Sequence, residues 1–213
     1  MPSSTGLAFT SSVKSLQERR GSRKAYARVE AKGGWATTVT PEFAAFLANA
    51  RSFYIATASA DGQPYVQHRG GPPGFLNIID DKTLAFADFA GNRQYITAGN
   101  LAENPRAFIF LMDYANRRRI KIWGRARVVE GDAELVHRLF PAGYRARPEQ
   151  AIVFTIEAWD QNCPQHIPQM FLAEDVADAV SRLEARISAL EAENARLRKA
   201  RAAPPLTNDG DRG

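Results

Sequence analysis

Through the middle of the chain, apolar and polar residues alternate with the two-residue period of β-strands that have one buried face. In RIKIWGRARVV, Ile120, Ile122 and Gly124 fall on one side, and Arg119, Lys121, Trp123 and Arg125 on the other. Strand-like runs come in pairs around turn residues. FYIATASADGQPYVQHRG folds about Asp61-Gly62, GFLNIIDDKTLAFADF about Asp80-Asp81-Lys82, and AFIFLMDY with RIKIWGRARVVE about Ala115-Asn116-Arg117. AIVFTIEAW is a further strand, and the total is about seven. Between them the pattern predicts short helices. One follows Thr40-Pro41-Glu42, where a capping hydroxyl precedes proline at the first helical position. A second runs from Arg93 to Glu103 and a third through DAELVHRLF. The expected fold is mainly β within the α+β class, an antiparallel sheet curled into a barrel to limit its open edges.

The C-terminal pattern changes to a period of seven. Val176, Leu183, Leu190 and Leu197 repeat at one seam position, and Val180, Ile187 and Asn194 at the other. Valine and isoleucine at a with leucine at d suit a parallel two-stranded coiled coil. Arg186 would face Glu191 of a partner, and Glu193 would face Arg198. A solvated helix packed on its own domain is the alternative. AAPPLTNDGDRG, after it, reads as disordered.

Charge changes the picture less than its total suggests. The chain of 213 residues carries +5, and all of that excess lies in residues 1–34, with seven basic and two acidic groups. The remainder is neutral, so the basicity belongs to an N-terminal arm and not to a groove, and no DNA- or RNA-binding signature accompanies it. Nucleic acid is therefore not the expected partner. No apolar run reaches membrane-spanning length, and MPSSTGLAFTSSVKSLQERR lacks the order of a secretory signal. The single cysteine, Cys163, allows no internal disulfide, which makes the cytoplasm the expected location. His68, His137 and His166 are scattered, without metal-ligand spacing.

Candidate chemistry lies in FADFAGNRQYITAGNLAENP. An apolar strand there runs into Gly91-Asn92-Arg93-Gln94 at the mouth of a helix, where free N–H groups and an arginine favour an anion such as phosphate. A capping asparagine with a solvated arginine fits the same residues. QHRGG, carrying Arg69, is a second cationic strand end, and if the two hairpins are neighbours Arg69 and Arg93 converge on one ligand.

The order of FYIATASADGQPYVQHRGG, LAFADFAGNRQYITAGNLAENPRAFIFLMD and RIKIWGRARVV resembles the FMN-binding split barrel of the pyridoxamine 5'-phosphate oxidase-like family, from about Pro41 to Phe171. The resemblance implies a homodimer with FMN at its interface, and an FMN-dependent oxidoreductase acting on an unknown small molecule. The alternative is a flavin or deazaflavin (F420) binding or stress protein without turnover. By position, Arg69, Gly70 and Gly71 would edge the isoalloxazine, and Ala87, Asp88 and Phe89 would supply strand-end contacts. Asn92, Arg93 and Gln94 would hold the phosphate. WDQNCPQHI resembles the segment that some members reach across the dimer with, which would bring Trp159, Gln165, His166 and Ile167 to the partner's flavin. His166 is the candidate catalytic residue, as proton donor or substrate hook, and equally a histidine that only packs its segment. Asn92 and Gln94 replace the family's usual hydroxyl and lysine, and the W-R-L-A-P pattern of true oxidases is absent. Both departures argue against pyridoxamine 5'-phosphate as substrate. The expected organisation is a basic arm (1–39), an FMN-binding barrel (40–171), a coiled-coil helix (172–201) and a disordered tail (202–213). Trp35 and Trp123 are left without a role, Trp123 suiting either a flavin edge or a barrel rim.

Overall fold

The computed structural model describes residues 3–161 and 164–202. Cys163 and all but the first residue of the expected disordered tail lie outside the described residues. The chain divides into two compact units, Met1–Pro168 and Gln169–Gly213.

The first unit is built on seven strands: β1 (Ser52–Ala58), β2 (Pro64–Gly70), β3 (Asn77–Ile78), β4 (Thr83–Phe89), β5 (Arg106–Asp113), β6 (Arg118–Val129) and β7 (Pro148–Gln161). They form one sheet in the order β2-β1-β5-β6-β7-β4-β3, with every pairing antiparallel. The sheet does not close by backbone pairing; it curls until side chains from its two ends touch. Phe53 on β1 meets Phe86 on β4 edge-on at 5.1 Å, although three strands separate them in the sheet. This is the split barrel.

Alternation puts one face of each strand inside. Phe53 and Ile55, Ile109 and Leu111, and Ile120 and Ile122 are each no more than 1% exposed. Burying a side chain of this size contributes roughly 1.5–3 kcal/mol, so together they drive the curl. The helix α3 (Pro41–Ala48) plugs this core with Phe43, Phe46 and Leu47, and its Thr40 cap accepts the Phe43 N–H at 3.2 Å, as the pattern predicts. Strand β4 is buried on both faces. Leu84 and Phe86 enter the main core, while Ala85 and Ala87 pack beneath α5 (Ala133–Leu139) in a second cluster with Leu139 and Ala151.

The N-terminal arm is folded. The helices α1 (Ser11–Arg19) and α2 (Arg23–Ala31) pair, and Glu30 receives Lys14 at 2.9 Å and also Arg23. Trp35 then stacks on Trp123 of β6, with ring centroids 4.5 Å apart and planes within 9°, and Phe9 meets Trp35 edge-on. The arm carries its own apolar anchor, which satisfies Trp123 and explains why a sequence with this much charge is ordered. Arg19, Arg20, Lys24, Arg28 and Lys32 remain exposed on it.

The second unit contains one long helix, α6 (Ala173–Ala202), capped electrostatically by Glu174 and Asp175 in its first turn.

Candidate functional site

The curl brings the ends of β2 and β4 together, and a cavity of about 260 Å³ opens between them and the loop that leads into α4 (Ile96–Glu103). Its inner part is formed by Phe75 and Phe86, both nearly fully buried. On its wall the Arg69 guanidinium donates to the Asp88 carboxylate and lies 5.9 Å from the centre of the Phe86 ring. Asp88 also accepts from Gln150 Nε2 at 2.9 Å. Gln150 sits opposite Asp88 on the neighbouring strand, so sheet register places it there. Arg69 Nε is buried with no hydrogen-bond partner among the described residues.

The mouth of the cavity is the loop, and here the expected helix start is corrected. The helix begins at Ile96, not Arg93. The Asn92 side chain accepts the Gln94 N–H at 3.3 Å, and Arg93 and Tyr95 take left-handed conformations with φ of 59° and 54°. An Asx turn followed by two positive-φ residues keeps the backbone out of the helix until Ile96. Tyr95, the N-cap, has no capping side-chain hydrogen bond, so the first N–H groups of α4 have no side-chain acceptor at the cap. Thr97 and Ala98 of that first turn line the cavity. The helix is held by side chains from the first hairpin. Thr97 donates to Gln67 Oε1 at 2.6 Å, and Asn100 donates to Thr57 Oγ1 at 3.0 Å.

Arg93 is exposed at the rim and donates through Nε to the Tyr95 hydroxyl at 2.9 Å, while that hydroxyl reaches Glu149 at 3.5 Å. The Tyr95 hydrogen bond, reinforced by the charge of Glu149, holds the Arg93 guanidinium pKa above its usual value. Two cations (Arg69, Arg93) and two carboxylates (Asp88, Glu149) therefore line the cavity. The charges at the cavity therefore balance.

Eight of the expected cofactor residues line this one space: Arg69, Gly70, Ala87, Asp88, Phe89, Asn92, Arg93 and Gln94. Arg69 and Arg93 do share it. Gly71 does not line it; a Cβ there would fall 2.6 Å from the Phe75 ring, so its bareness serves close packing. Phe89 turns its ring to Phe140 and Tyr144. Trp159 lies on β7, and Gln165, His166 and Ile167 follow it. Trp159 is 9% exposed, stacks on Phe43 at 4.5 Å and donates its indole N–H to the Thr38 carbonyl at 2.8 Å. Its ring belongs to the main core of this chain, because inward alternation on β7 points it there. Ile167 is buried as well, whereas Gln165 and His166 are exposed, His166 with φ of 60°, and neither lines the cavity of its own chain. Sequence reasoning missed Gln67, Tyr95, Thr97, Glu149 and Gln150. Tyr95 sits in the quoted loop, but Glu149 and Gln150 join through strand pairing, which has no local signal.

The family model described as pyridoxamine 5'-phosphate oxidase matches residues 39–163. No curated protein matches the chain. Among solved structures, HupZ of Group A Streptococcus is 19% identical, covering 62% of this chain and 99% of its own, with a TM-score of 0.49. A putative pyridoxamine 5'-phosphate oxidase of Lactobacillus delbrueckii is 20% identical over 59% of this chain and 95% of its own, with a TM-score of 0.46. An FMN-binding protein of Syntrophomonas wolfei is 15% identical over 68% and 97%, with a TM-score of 0.44.

Proposed function

The chain belongs to the pyridoxamine 5'-phosphate oxidase family, a flavin-binding family, and from that premise we propose that it is an FMN-binding oxidoreductase acting on a small molecule as a homodimer. The observation that carries the reading is the match between the cavity's unanswered donors and the acceptors of a flavin nucleotide. Arg69 Nε is buried without an acceptor among the described residues, and Tyr95 gives the start of α4 no side-chain cap. Ring carbonyls and a phosphate supply acceptors. In this reading the isoalloxazine lies toward Phe75 and Phe86, with Arg69 and Gly70 at its edge, and Asn92, Arg93 and Gln94 hold the phosphate. When bound, FMN supplies the two-electron chemistry. The protein's residues bind it, fix its orientation and exclude water.

The cavity of about 260 Å³ falls short of the roughly 300–1,000 Å³ of small-molecule sites, which supports completion by a second protomer. The outer sheet face offers a surface for one. In register across β2, β1 and β5, Val66 lies beside Ala56 and Phe108, and His68 beside Tyr54 and Phe110. Val66 is 58% and Tyr54 40% exposed, and the outward side of β6 beyond them is already covered by Trp35. Gln165 and His166, exposed at the end of the unit, would then reach the partner's cavity, with His166 as proton donor or substrate hook.

A second reading, a carrier or sensor of FMN or of a deazaflavin such as F420 without turnover, is favoured by the cavity's two carboxylates. Asp88 is held by Arg69 and Glu149 faces the Tyr95–Arg93 pair, which leaves neither poised as a base. The test is the visible absorption spectrum of the purified protein with mass spectrometry of the ligand released by heat. FMN bound, and reduced by a nicotinamide donor with turnover, supports the enzyme. A deazaflavin mass, or FMN without turnover, favours the second reading, and a colourless protein that refuses both overturns flavin binding.

A further inference from the structure

The seam of α6 is bare. Leu183 is 63%, Ile187 55%, Leu197 54%, Val176 48% and Val180 45% exposed along one 30-residue helix. From Val176 to Leu197 this apolar stripe runs for about 31 Å at 1.5 Å per residue. Exposed leucine and isoleucine repeating at heptad spacing need a partner helix.

We propose that α6 pairs with α6 of a second copy of this chain in a parallel, in-register two-stranded coiled coil. Charge decides the occupant. Arg186 has Leu183 and Arg182 three and four residues before it, and Ala189 and Leu190 after it; Glu191 has Ser188 and Ile187 before it, and Asn194 and Ala195 after it. Neither has an oppositely charged neighbour on its own helix. They lie five residues apart, the spacing at which a g position meets the e position of a parallel partner. The same spacing relates Glu193 to Arg198, so two attractive contacts form per helix and four per pair by symmetry. Asn194 fixes the orientation. In register it meets its own copy, and the two amides hydrogen-bond each other; in an antiparallel pair it would face a leucine layer and lose that bond. Valine and isoleucine at a with leucine at d select two strands over three. The proposal rests on α6 alone and stands whether or not the sheet face also pairs.

The test uses the full chain with Cys163→Ser, carrying one added cysteine at a time. Val180→Cys, at an a position near one end of the seam, is expected to form an intersubunit disulfide in glutathione redox buffer, while Ser181→Cys, turned outward, is not. Adding Arg186→Glu is expected to lower the effective thiol concentration at position 180 roughly tenfold, since attraction becomes repulsion at two related sites. Adding Glu191→Arg as well restores it. Absence of the disulfide at position 180, equal cross-linking at 180 and 181, or no response to Arg186→Glu would each overturn the proposal.

Discussion

Arg69 and Asp88 form an ion pair that bridges the split of the barrel. Arg69 lies one residue before the end of β2, which is one edge of the sheet, and Asp88 lies on β4, next to the opposite edge. No backbone hydrogen bond joins these strands, so the side-chain pair does what a ladder would do in a closed barrel. Both side chains are at most 15% exposed, and the same contact makes the cavity wall.

Removing one partner should therefore cost more than removing both. Asp88→Ala leaves the Arg69 charge buried and is expected to lower stability by about 2–4 kcal/mol, near the lower part of the range for broken buried pairs because some solvent reaches it. Arg69→Met with Asp88→Leu should recover much of that loss. Urea unfolding of the two variants checks this, and equal losses would mean the pair does not couple.

Arg93 sits at the rim and, among the described residues, is tied only to Tyr95 and, beyond it, Glu149. Arg93→Ala should weaken FMN binding roughly tenfold while leaving riboflavin binding unchanged, as expected for one exposed charge-assisted contact to phosphate. Fluorescence titration with both ligands measures the difference. A parallel loss for riboflavin would place Arg93 at the ring instead.

Gly124 lies at the bulge where the β6–β7 register shifts between Trp123 and Gly124. A Cβ there would stand 2.1 Å from the Thr155 carbonyl oxygen and 2.6 Å from the Phe154 ring. The nearest obstacle is backbone and cannot swing away. Gly124→Ala is expected to destabilise the barrel by about 3 kcal/mol or more, the upper end of overpacking costs, and a thermal melt within a degree of the parent would contradict the packing.

The first hairpin carries a pH signature. The Ser59 hydroxyl, and after it the Gln63 backbone, donate to Asp61 and hold its carboxyl below the ordinary 3.8. A carboxyl lowered on folding stabilises the fold when ionised, so this contribution is complete above 3.8 and fades as pH falls through the lowered value. Ser59→Ala should move the Asp61 titration, followed by NMR, up toward 3.8. No movement would assign the lowering to the backbone donors.

Val66→Glu places a charge on the exposed face opposite Ala56. If that face pairs with a second copy, sedimentation should show a weaker dimer and the flavin should be lost on dilution. Unchanged values would move the interface elsewhere.

The strands were legible because each carries its own instruction. Alternation such as Ile120 and Ile122 against Lys121, and turn residues such as Asp61-Gly62, act over a few residues, and the seven strands follow them. Thr40 was legible as a cap for the same reason. The start of α4 was not. Periodicity from Arg93 onward allows a helix, but the Asx turn at Asn92 and the left-handed Arg93 and Tyr95 delay it to Ile96. The anchoring of the N-terminal arm was not legible either, because its charge is local, whereas the stack of Trp35 on Trp123 joins residues far apart in the chain.

The sequence by itself determined the strand count, the hairpins, the family and the two arginines of the site, since all of these are written in short-range patterns and motif order. Only the tertiary structure decided that Arg69 pairs with Asp88, that Glu149 lines the cavity while Gln150 holds Asp88, and that Trp159 belongs to the core. Those outcomes depend on which strands become neighbours when the sheet curls, and curling is a property of the whole apolar face acting at once, which no short segment carries.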